Sequence, residues 1–177
     1  MNNTYLIDII TPENYRNAPF TPGQIADFLY EHLDQFGDPR EYIMRCINYA
    51  LGMKTGRSGF IVTASDAHRD RDSEMAGSSN KNSFGDTDSG NSAPINLLGT
   101  TVVCETDMRG YVPENLVVYI AVDAKARGRG IGKALMEKAV EIARGDLALH
   151  VEPDNPAKNL YERIGFTHKY LEMRYSK

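Results

Sequence analysis

The sequence predicts a mixed α/β (α+β) domain: one mainly antiparallel sheet with helices on both faces. Three observations support this fold class. Strand-like and helix-like segments follow in the order strand, helix, helix, three strands, helix, strand, helix, strand. The run Leu116 to Val122 is apolar on both alternating faces, which is typical of a central strand covered on both sides. A chain of 177 residues, 41% hydrophobic and 25% charged, fits a single domain over residues 1–177.

The first three elements carry local start and stop signals. Tyr5 to Ile10 is strand-like. Thr21-Pro-Gly-Gln24 has the residue types of an N-cap, a first-turn proline and a capping-box glutamine, so a helix should begin there and end at Gly37. Asp38-Pro-Arg-Glu41 repeats these signals and predicts a second helix, capped by Asp38 and closed by Gly52.

Three further strands are predicted from runs rich in Val, Ile and Thr, at 59–64, 97–104 and 116–122. In the third strand, simple alternation places Val117, Tyr119 and Ala121 on one face. Between the first two runs, residues at about 66–94 contain almost no large apolar side chains. Such a segment buries too little surface to offset its ordering entropy, so we predict a disordered insertion.

The C-terminal part alternates helix and strand. A helix follows the glycine-rich stretch at 127–132, and a strand is expected over Leu147 to Glu152. A short helix should begin at Pro156 and stop at Gly165. The alternating residues Lys169 to Tyr175 predict a final strand.

Composition excludes several function classes. The net charge of −4 disfavours a nucleic-acid partner. The longest apolar run is too short to span a bilayer, and the N-terminus lacks signal-peptide features, so we expect a cytoplasmic protein without a membrane partner. Cys46 and Cys104 match no metal-ligand spacing; we expect reduced thiols and no metal.

The stretch "ARGRGIGKALMEKA" at 126–139 predicts a phosphate-binding loop at a helix start. Glycine at alternate positions lets the backbone approach a ligand, and the helix N-terminus favours negative charge. A plain tight turn is the alternative. A Walker loop would need glycine at Arg127 and a hydroxyl at Ala134, and a dinucleotide fingerprint would need glycine at Lys133. Both motifs fail, which disfavours a nucleotide-binding phosphotransferase.

Two motifs together resemble the GNAT superfamily of N-acetyltransferases. Arg127-x-x-Gly130-x-Gly132, placed after "YIAVD", is similar to the family's coenzyme A loop. "VEPDNPAKNLYERIGF" resembles the family's asparagine, short helix with a tyrosine, and Gly-Phe. The resemblance covers about residues 115–168 and implies acetyl transfer from acetyl-CoA to a primary amine, by direct attack in a ternary complex.

The resemblance also implies a cofactor site. The strands at 116–122 and 147–152 should part, leaving a groove for the pantetheine arm beside the main chain of Ile120, Ala121 and Val122. The side chain of Asn155 would bind the arm, although a helix cap is an equally good role for it. Further cofactor contacts are expected from Arg127, Gly128, Arg129, Gly130, Ile131, Gly132, Lys133 and Lys158.

By the same resemblance, Tyr161 is the acid that protonates the leaving thiolate, whereas its helical spacing alone favours a core aromatic. No general base is evident. Candidates on or beside the central strands are Glu105, Tyr119, His150 and Glu152, and alternation would place the last two on one strand face.

The partner expectations are correspondingly open. The acceptor is expected to be a small-molecule or peptide amine, and the short segment after Phe166 makes a homodimer possible. The alternative function is a non-catalytic acyl-CoA-binding or sensing domain on the same scaffold.

Overall fold

Five strands form one sheet in the computed structural model, which describes residues 5–53, 58–66, 95–110 and 112–177. Most of the predicted insertion at about 66–94 therefore lies outside the described residues. The strands are β1 (Tyr5–Ile10), β2 (Gly59–Asp66), β3 (Leu97–Glu105), β4 (Asn115–Val122) and β5 (Leu147–Leu149). The helices are α1 (Pro22–His32), α2 (Arg40–Ala50), α3 (Ile131–Ile142) and α4 (Lys158–Ile164).

The sheet has the order β1-β2-β3-β4-β5. Neighbouring strands are antiparallel from β1 to β4, and β5 joins β4 in parallel. One apolar cluster lies between the sheet and helices α1 and α2, and a second lies between the sheet and helices α3 and α4. The predicted fold class, a mainly antiparallel sheet with helices on both faces, is confirmed. No helix within the described ranges is long and apolar enough to cross a membrane.

The two N-terminal helices begin differently, although their sequence signals are alike. At α1 the predicted capping box is present: Thr21 Oγ1 accepts from the Gln24 amide, and Gln24 Oε1 accepts from the Thr21 amide. The predicted cap at Asp38 is wrong, because α2 follows Pro39 without a side-chain cap. Asp38 instead accepts a 2.6 Å hydrogen bond from the hydroxyl of Tyr119.

A β-bulge in β4 overturns the predicted division of its faces. Val102 pairs with Tyr119 but Val103 pairs with Val117, so Val118 has no partner in β3. As a result Val117 packs in the α3/α4 cluster, while Tyr119 packs in the α1/α2 cluster.

The C-terminal third has less regular structure than predicted. β5 ends at Leu149, short of Glu152, and α4 begins at Lys158 rather than Pro156. The predicted strand at 169–175 is wrong: these residues are exposed and pair with no strand among the described residues. Alternating side chains form a strand only where a neighbouring backbone completes the hydrogen-bond ladder, and here none does.

Both ends of the predicted insertion are held together. Asn96 donates from its amide N and its Nδ2 to the carboxylate of Asp66, at 2.9 and 2.7 Å. We therefore expect that replacing residues 68–90 with a short Gly-Ser linker leaves the melting temperature within a few degrees of the wild type. The shorter linker slightly reduces the entropic cost of bringing the two ends together, which favours the folded state. The melting temperature is measured by circular dichroism. A large decrease in the shortened variant would contradict a disordered insertion.

Candidate active site

The parallel pair β4 and β5 separates partway along its length. Pairing runs only from Asn115 with Leu147 to Val117 with Leu149, and β4 then continues to Val122 with no strand on that side among the described residues. Val118 is 37% exposed, although it lies in an interior strand of the sheet. The second half of β4 therefore offers an open backbone edge, in the place where the sequence predicts a splayed strand pair.

The glycine loop follows this open edge. After a short 3-10 turn at Ala124–Ala126, Arg127 to Gly130 are all exposed. Gly128 and Gly130 both have φ of +79°, and a Cβ built on either meets no atom within 4 Å. Glycine is favoured in this left-handed conformation. The backbone of the loop is therefore open to a ligand on its outer side.

The start of α3 presents free main-chain donors to the same region. Gly130 is the N-cap and provides no side-chain acceptor. The amides of Ile131, Gly132 and Lys133 donate to no acceptor within the described part of the chain. Unpaired first-turn amides and the positive end of the helix dipole together favour an anion.

Gly132 has a different role from the other two loop glycines. A Cβ at Gly132 would lie 3.3 Å from Leu160 Cδ2 and 3.7 Å from Val122 Cγ2. Its lack of a side chain lets α3 pack closely against both α4 and the end of β4. The three alternating glycines thus combine two exposed backbone positions with one packing position.

Three basic residues of the predicted site, Arg127, Lys133 and Lys158, form ion pairs that solvent can reach. Arg127 lies 3.5 Å from Asp34 and donates at 3.4 Å to the carbonyl of Val122. The i,i+4 pairs Lys133–Glu137 and Lys158–Glu162 measure 3.1 and 4.0 Å. Exposed pairs of this kind contribute about 0–1 kcal/mol, so the cations can turn toward a ligand at little cost. Arg129 is exposed as well.

Asn155 forms a local turn rather than the helix N-cap. Its Oδ1 accepts from the amide of Ala157 at 2.9 Å, and its own amide donates to the carbonyl of Glu152 at 3.0 Å. The side-chain Nδ2 makes no hydrogen bond to a described residue. This turn fixes the approach to α4 and leaves one donor for a ligand.

Tyr161 lies on α4 within the α3/α4 apolar cluster. Its ring is 8% exposed and meets the edge of Phe166 at a centroid distance of 6.1 Å. Burial raises the pKa of its phenol above the ordinary value of 10.0. The hydroxyl has no hydrogen-bond partner among the described residues, so its proton is not committed to another group of the chain.

The four candidate bases occupy different places. Tyr119 is disfavoured, because burial first and the hydrogen bond to Asp38 second raise its pKa and keep it protonated. Glu105 accepts a 2.7 Å hydrogen bond from Ser58 and lies where β3 pairs with the start of β4, away from the glycine loop. His150 and Glu152 are exposed and follow the last residue of β5, so the predicted shared strand face is wrong.

Two carboxylates that were not predicted to belong to the site connect it to the α1–α2 segment, residues 33–39. Asp34 reaches Arg127 of the glycine loop, and Asp38 binds Tyr119 on β4. Asp34 also adopts a left-handed φ of +50°, which is unusual outside glycine. No local pattern reveals these contacts, since their partners lie 93 and 81 residues away.

A family model described as the acetyltransferase (GNAT) family matches residues 66–166, more than half of the chain. The chain belongs to the GNAT family of acetyltransferases. Its open β4 edge and glycine loop lie within the matched part of this GNAT domain.

Solved structures share the GNAT fold over nearly the whole chain. A proposed acetyl transferase from Pyrococcus furiosus is 22% identical, with a TM-score of 0.55 over 97% of this chain and 100% of the other. A ribosomal-protein-alanine N-acetyltransferase from Brucella melitensis biovar Abortus 2308 is 18% identical, with a TM-score of 0.52 over 98% and 99%.

An aminoglycoside acetyltransferase from an uncultured soil metagenomic sample is 13% identical, with a TM-score of 0.53 over 99% of this chain and 98% of the other. At these identities the likeness concerns the fold alone. No curated protein sequence matches the chain.

Proposed function

We propose that the protein is an acetyl-CoA-dependent N-acetyltransferase that acetylates a primary amine by direct attack in a ternary complex. This proposal rests on one observation: an exposed glycine loop lies directly beside an unpaired strand edge. The exposed backbone of Gly128 and Gly130, beside the unpaired amides of α3, adjoins the open half of β4. One feature suits a pyrophosphate, and the other suits an extended amide-containing arm.

The residues present fit coenzyme A. The loop from Arg127 to Lys133 would hold the pyrophosphate through backbone amides, with Arg127, Arg129, Lys133 and Lys158 supplying positive charge. The main chain from Ile120 to Val122 would pair with the pantetheine arm as an added strand, and Nδ2 of Asn155 would donate to it. Acetyl-CoA supplies the acetyl group as a thioester.

The chain's own groups then handle two protons. The Tyr161 hydroxyl, which stays protonated at neutral pH, would donate to the departing sulfur. A free alkylamine has a pKa of about 10.4, so the acceptor must lose a proton before it attacks. His150 and Glu152 follow the end of β5, close to the point where the two strands part, and either could accept that proton directly or through water.

The α1–α2 segment suggests a cationic amine as acceptor. It presents the exposed carboxylates of Asp34 and Asp38 next to the glycine loop and β4. Negative charge at the rim of a site raises the local concentration of a cation. Two structural neighbours are named as acetyltransferases of aminoglycosides and of ribosomal-protein alanine, and both names denote amine acceptors.

A non-catalytic acyl-CoA-binding domain is the second candidate. It is favoured by the buried, packed state of Tyr161 and by the exposed position of the candidate bases beyond β5. This candidate shares the glycine loop and the open β4 edge with the enzyme. It differs in predicting ligand binding without turnover.

We expect steady release of free CoA thiol when acetyl-CoA is offered with a panel of amino acids, polyamines, aminoglycosides and peptides with free N-termini. Mass spectrometry of the acceptor should find one added acetyl group. A thermal shift with acetyl-CoA but no thiol release with any amine would favour the binding domain. If acetyl-CoA gives no thermal shift and no amine gives thiol release, both candidates are contradicted.

A cytoplasmic location and a homodimer remain predictions. We propose the C-terminal segment as the surface that would contact a partner copy, because four large apolar side chains are exposed there: Tyr170, Leu171, Met173 and Tyr175. Sedimentation velocity of the full chain tests the homodimer.

A further inference from the structure

Two cysteines that are 58 residues apart in the sequence lie in contact in the fold. Cys46 is on α2 and Cys104 is on β3, and their sulfur atoms are 3.6 Å apart. Both are free thiols and partly buried. A disulfide holds its sulfurs about 2.05 Å apart, so closing this pair needs a movement of about 1.6 Å.

Each cysteine of the pair lies on a helix or strand that is packed in the fold. Cys46 lies between Ile43 and Ile47 on the buried face of α2, and both isoleucines are fully buried. Cys104 is in β3, which pairs with β2 and with β4. Both sulfurs are therefore carried by elements that already pack together, so their contact does not depend on a loop.

We propose that Cys46 and Cys104 are a redox-modification site, which a low-molecular-weight disulfide oxidises to a reversible intramolecular cross-link between α2 and β3. This site goes beyond the proposed acetyl transfer and does not depend on it. The class of co-reactant is a small disulfide such as oxidised glutathione, or cystamine where access is narrow.

The chemistry takes two exchange steps. The Cys104 thiolate attacks one sulfur of the oxidant, forms a mixed disulfide and releases one thiol after protonation. Cys46 then loses its proton and attacks the Cys104 sulfur, which forms the internal bond and releases a second thiol. Two protein thiols are thereby oxidised to one disulfide, and the oxidant is reduced to two thiols.

The environment favours this order of events. The hydrogen bond with Cys104, followed by burial, raises the pKa of the Cys46 thiol, so Cys46 holds the shared proton while the pair is reduced. The bond that raises this pKa is one in which the Cys46 thiol donates its proton to the Cys104 sulfur. Once Cys104 is in a mixed disulfide, its sulfur carries no negative charge and accepts that proton only weakly. The largest cause of the raised pKa is thus weakened at the moment when Cys46 must become the nucleophile.

The cross-link would join two elements that pack around Tyr119. Tyr119 packs in the same apolar cluster as both cysteines, and its hydroxyl binds Asp38 in the segment before α2. Joining α2 to β3 closes a long loop, which restricts the unfolded chain. We expect a rise in melting temperature of roughly 5–15 °C, from the usual stabilisation by a disulfide in a chain of this size.

The test uses the full native chain treated with oxidised glutathione, and in parallel with cystamine, followed by alkylation under denaturing conditions and intact-mass measurement. We expect loss of two hydrogen atoms, no alkylated cysteine, a raised melting temperature and reversal by dithiothreitol. Cys46→Ser should keep one glutathionyl group on Cys104, because the second exchange step is lost.

Three results would overturn the proposal. The native protein could keep both thiols with both oxidants, or it could accumulate mixed disulfides or disulfide-linked dimers instead of the internal bond. An internal disulfide that lowers the melting temperature would mean that the native fold must distort to form it, so the contact would not be a preformed site.

Discussion

Acetyl-CoA should stabilise the wild-type protein strongly and the Gly130→Asp variant hardly at all. At about 100 times its Kd, a ligand stabilises the folded state by about 2.7 kcal/mol, which raises the melting temperature of a domain of this size by roughly 5–10 °C. Gly130 has open space where a Cβ would lie, so the new carboxylate projects into the region proposed for the pyrophosphate.

Two effects combine in this variant. A non-glycine residue at φ +79° strains the loop, and like charges about 4 Å apart cost on the order of 4 kcal/mol at an effective dielectric of about 20. An affinity loss of roughly 100-fold would leave only about 0.4 kcal/mol of the ligand stabilisation. Differential scanning fluorimetry across an acetyl-CoA titration measures this directly.

The chain offers matched controls for strain and for charge. Gly110 also has a left-handed φ, of +93°, and equally open space, but it lies in the β3–β4 connection, away from the glycine loop. Gly110→Asp should retain the wild-type shift with acetyl-CoA. Gly130→Asn keeps the bulk without the charge and should give an intermediate shift. Equal shifts in the wild type and Gly130→Asp would rule out pyrophosphate binding at this loop.

Local sequence signals predicted those features whose contacts are local. The capping box of α1 joins residues three positions apart, so Thr21 and Gln24 sufficed to predict it. An exposed backbone at Gly128 and Gly130 was likewise expected from the loop sequence and its place before a helix. The mainly antiparallel sheet was expected from the order of elements, in which three strand-like runs follow one another with no helix between them.

Features set by distant partners could not be predicted. Asp38 has the residue type of a helix cap, yet its carboxylate accepts from the Tyr119 hydroxyl and not from the α2 amides. β4 is apolar on both faces, so the bulge at Val118 does not interrupt any polar–apolar alternation. The sequence therefore could not predict that Val117 faces the other side of the sheet from Tyr119. The contact between Cys46 and Cys104 required the docking of α2 on β3.

Tyr161→Phe should lower acetyl-transfer turnover by roughly 10²- to 10⁴-fold, the usual range for losing a positioned acid. The substitution removes one oxygen atom, and that hydroxyl makes no hydrogen bond to the described residues. The ring, its edge contact with Phe166 and its place in the cluster are kept, so stability should change little. Affinity for acetyl-CoA should also change little, because the proposed contacts are to the loop and β4.

The matched control is Tyr5→Phe. Tyr5 is 8% exposed in the same apolar cluster, but it lies on β1 at the opposite edge of the sheet from β5. Tyr5→Phe should therefore lose no turnover, and both variants should keep the wild-type thermal shift with acetyl-CoA.

The pH dependence gives a second readout for Tyr161. Burial raises its pKa, so the acid form persists through neutral pH and is lost only above the ordinary value of 10.0. Turnover of the wild type should fall above that pH, whereas the residual turnover of Tyr161→Phe should lack this particular fall. Near-wild-type turnover in Tyr161→Phe, with a verified acceptor and a chemical step that limits the rate, would contradict the acid role. Tyr161 would then be a core residue, and water would have to protonate the thiolate.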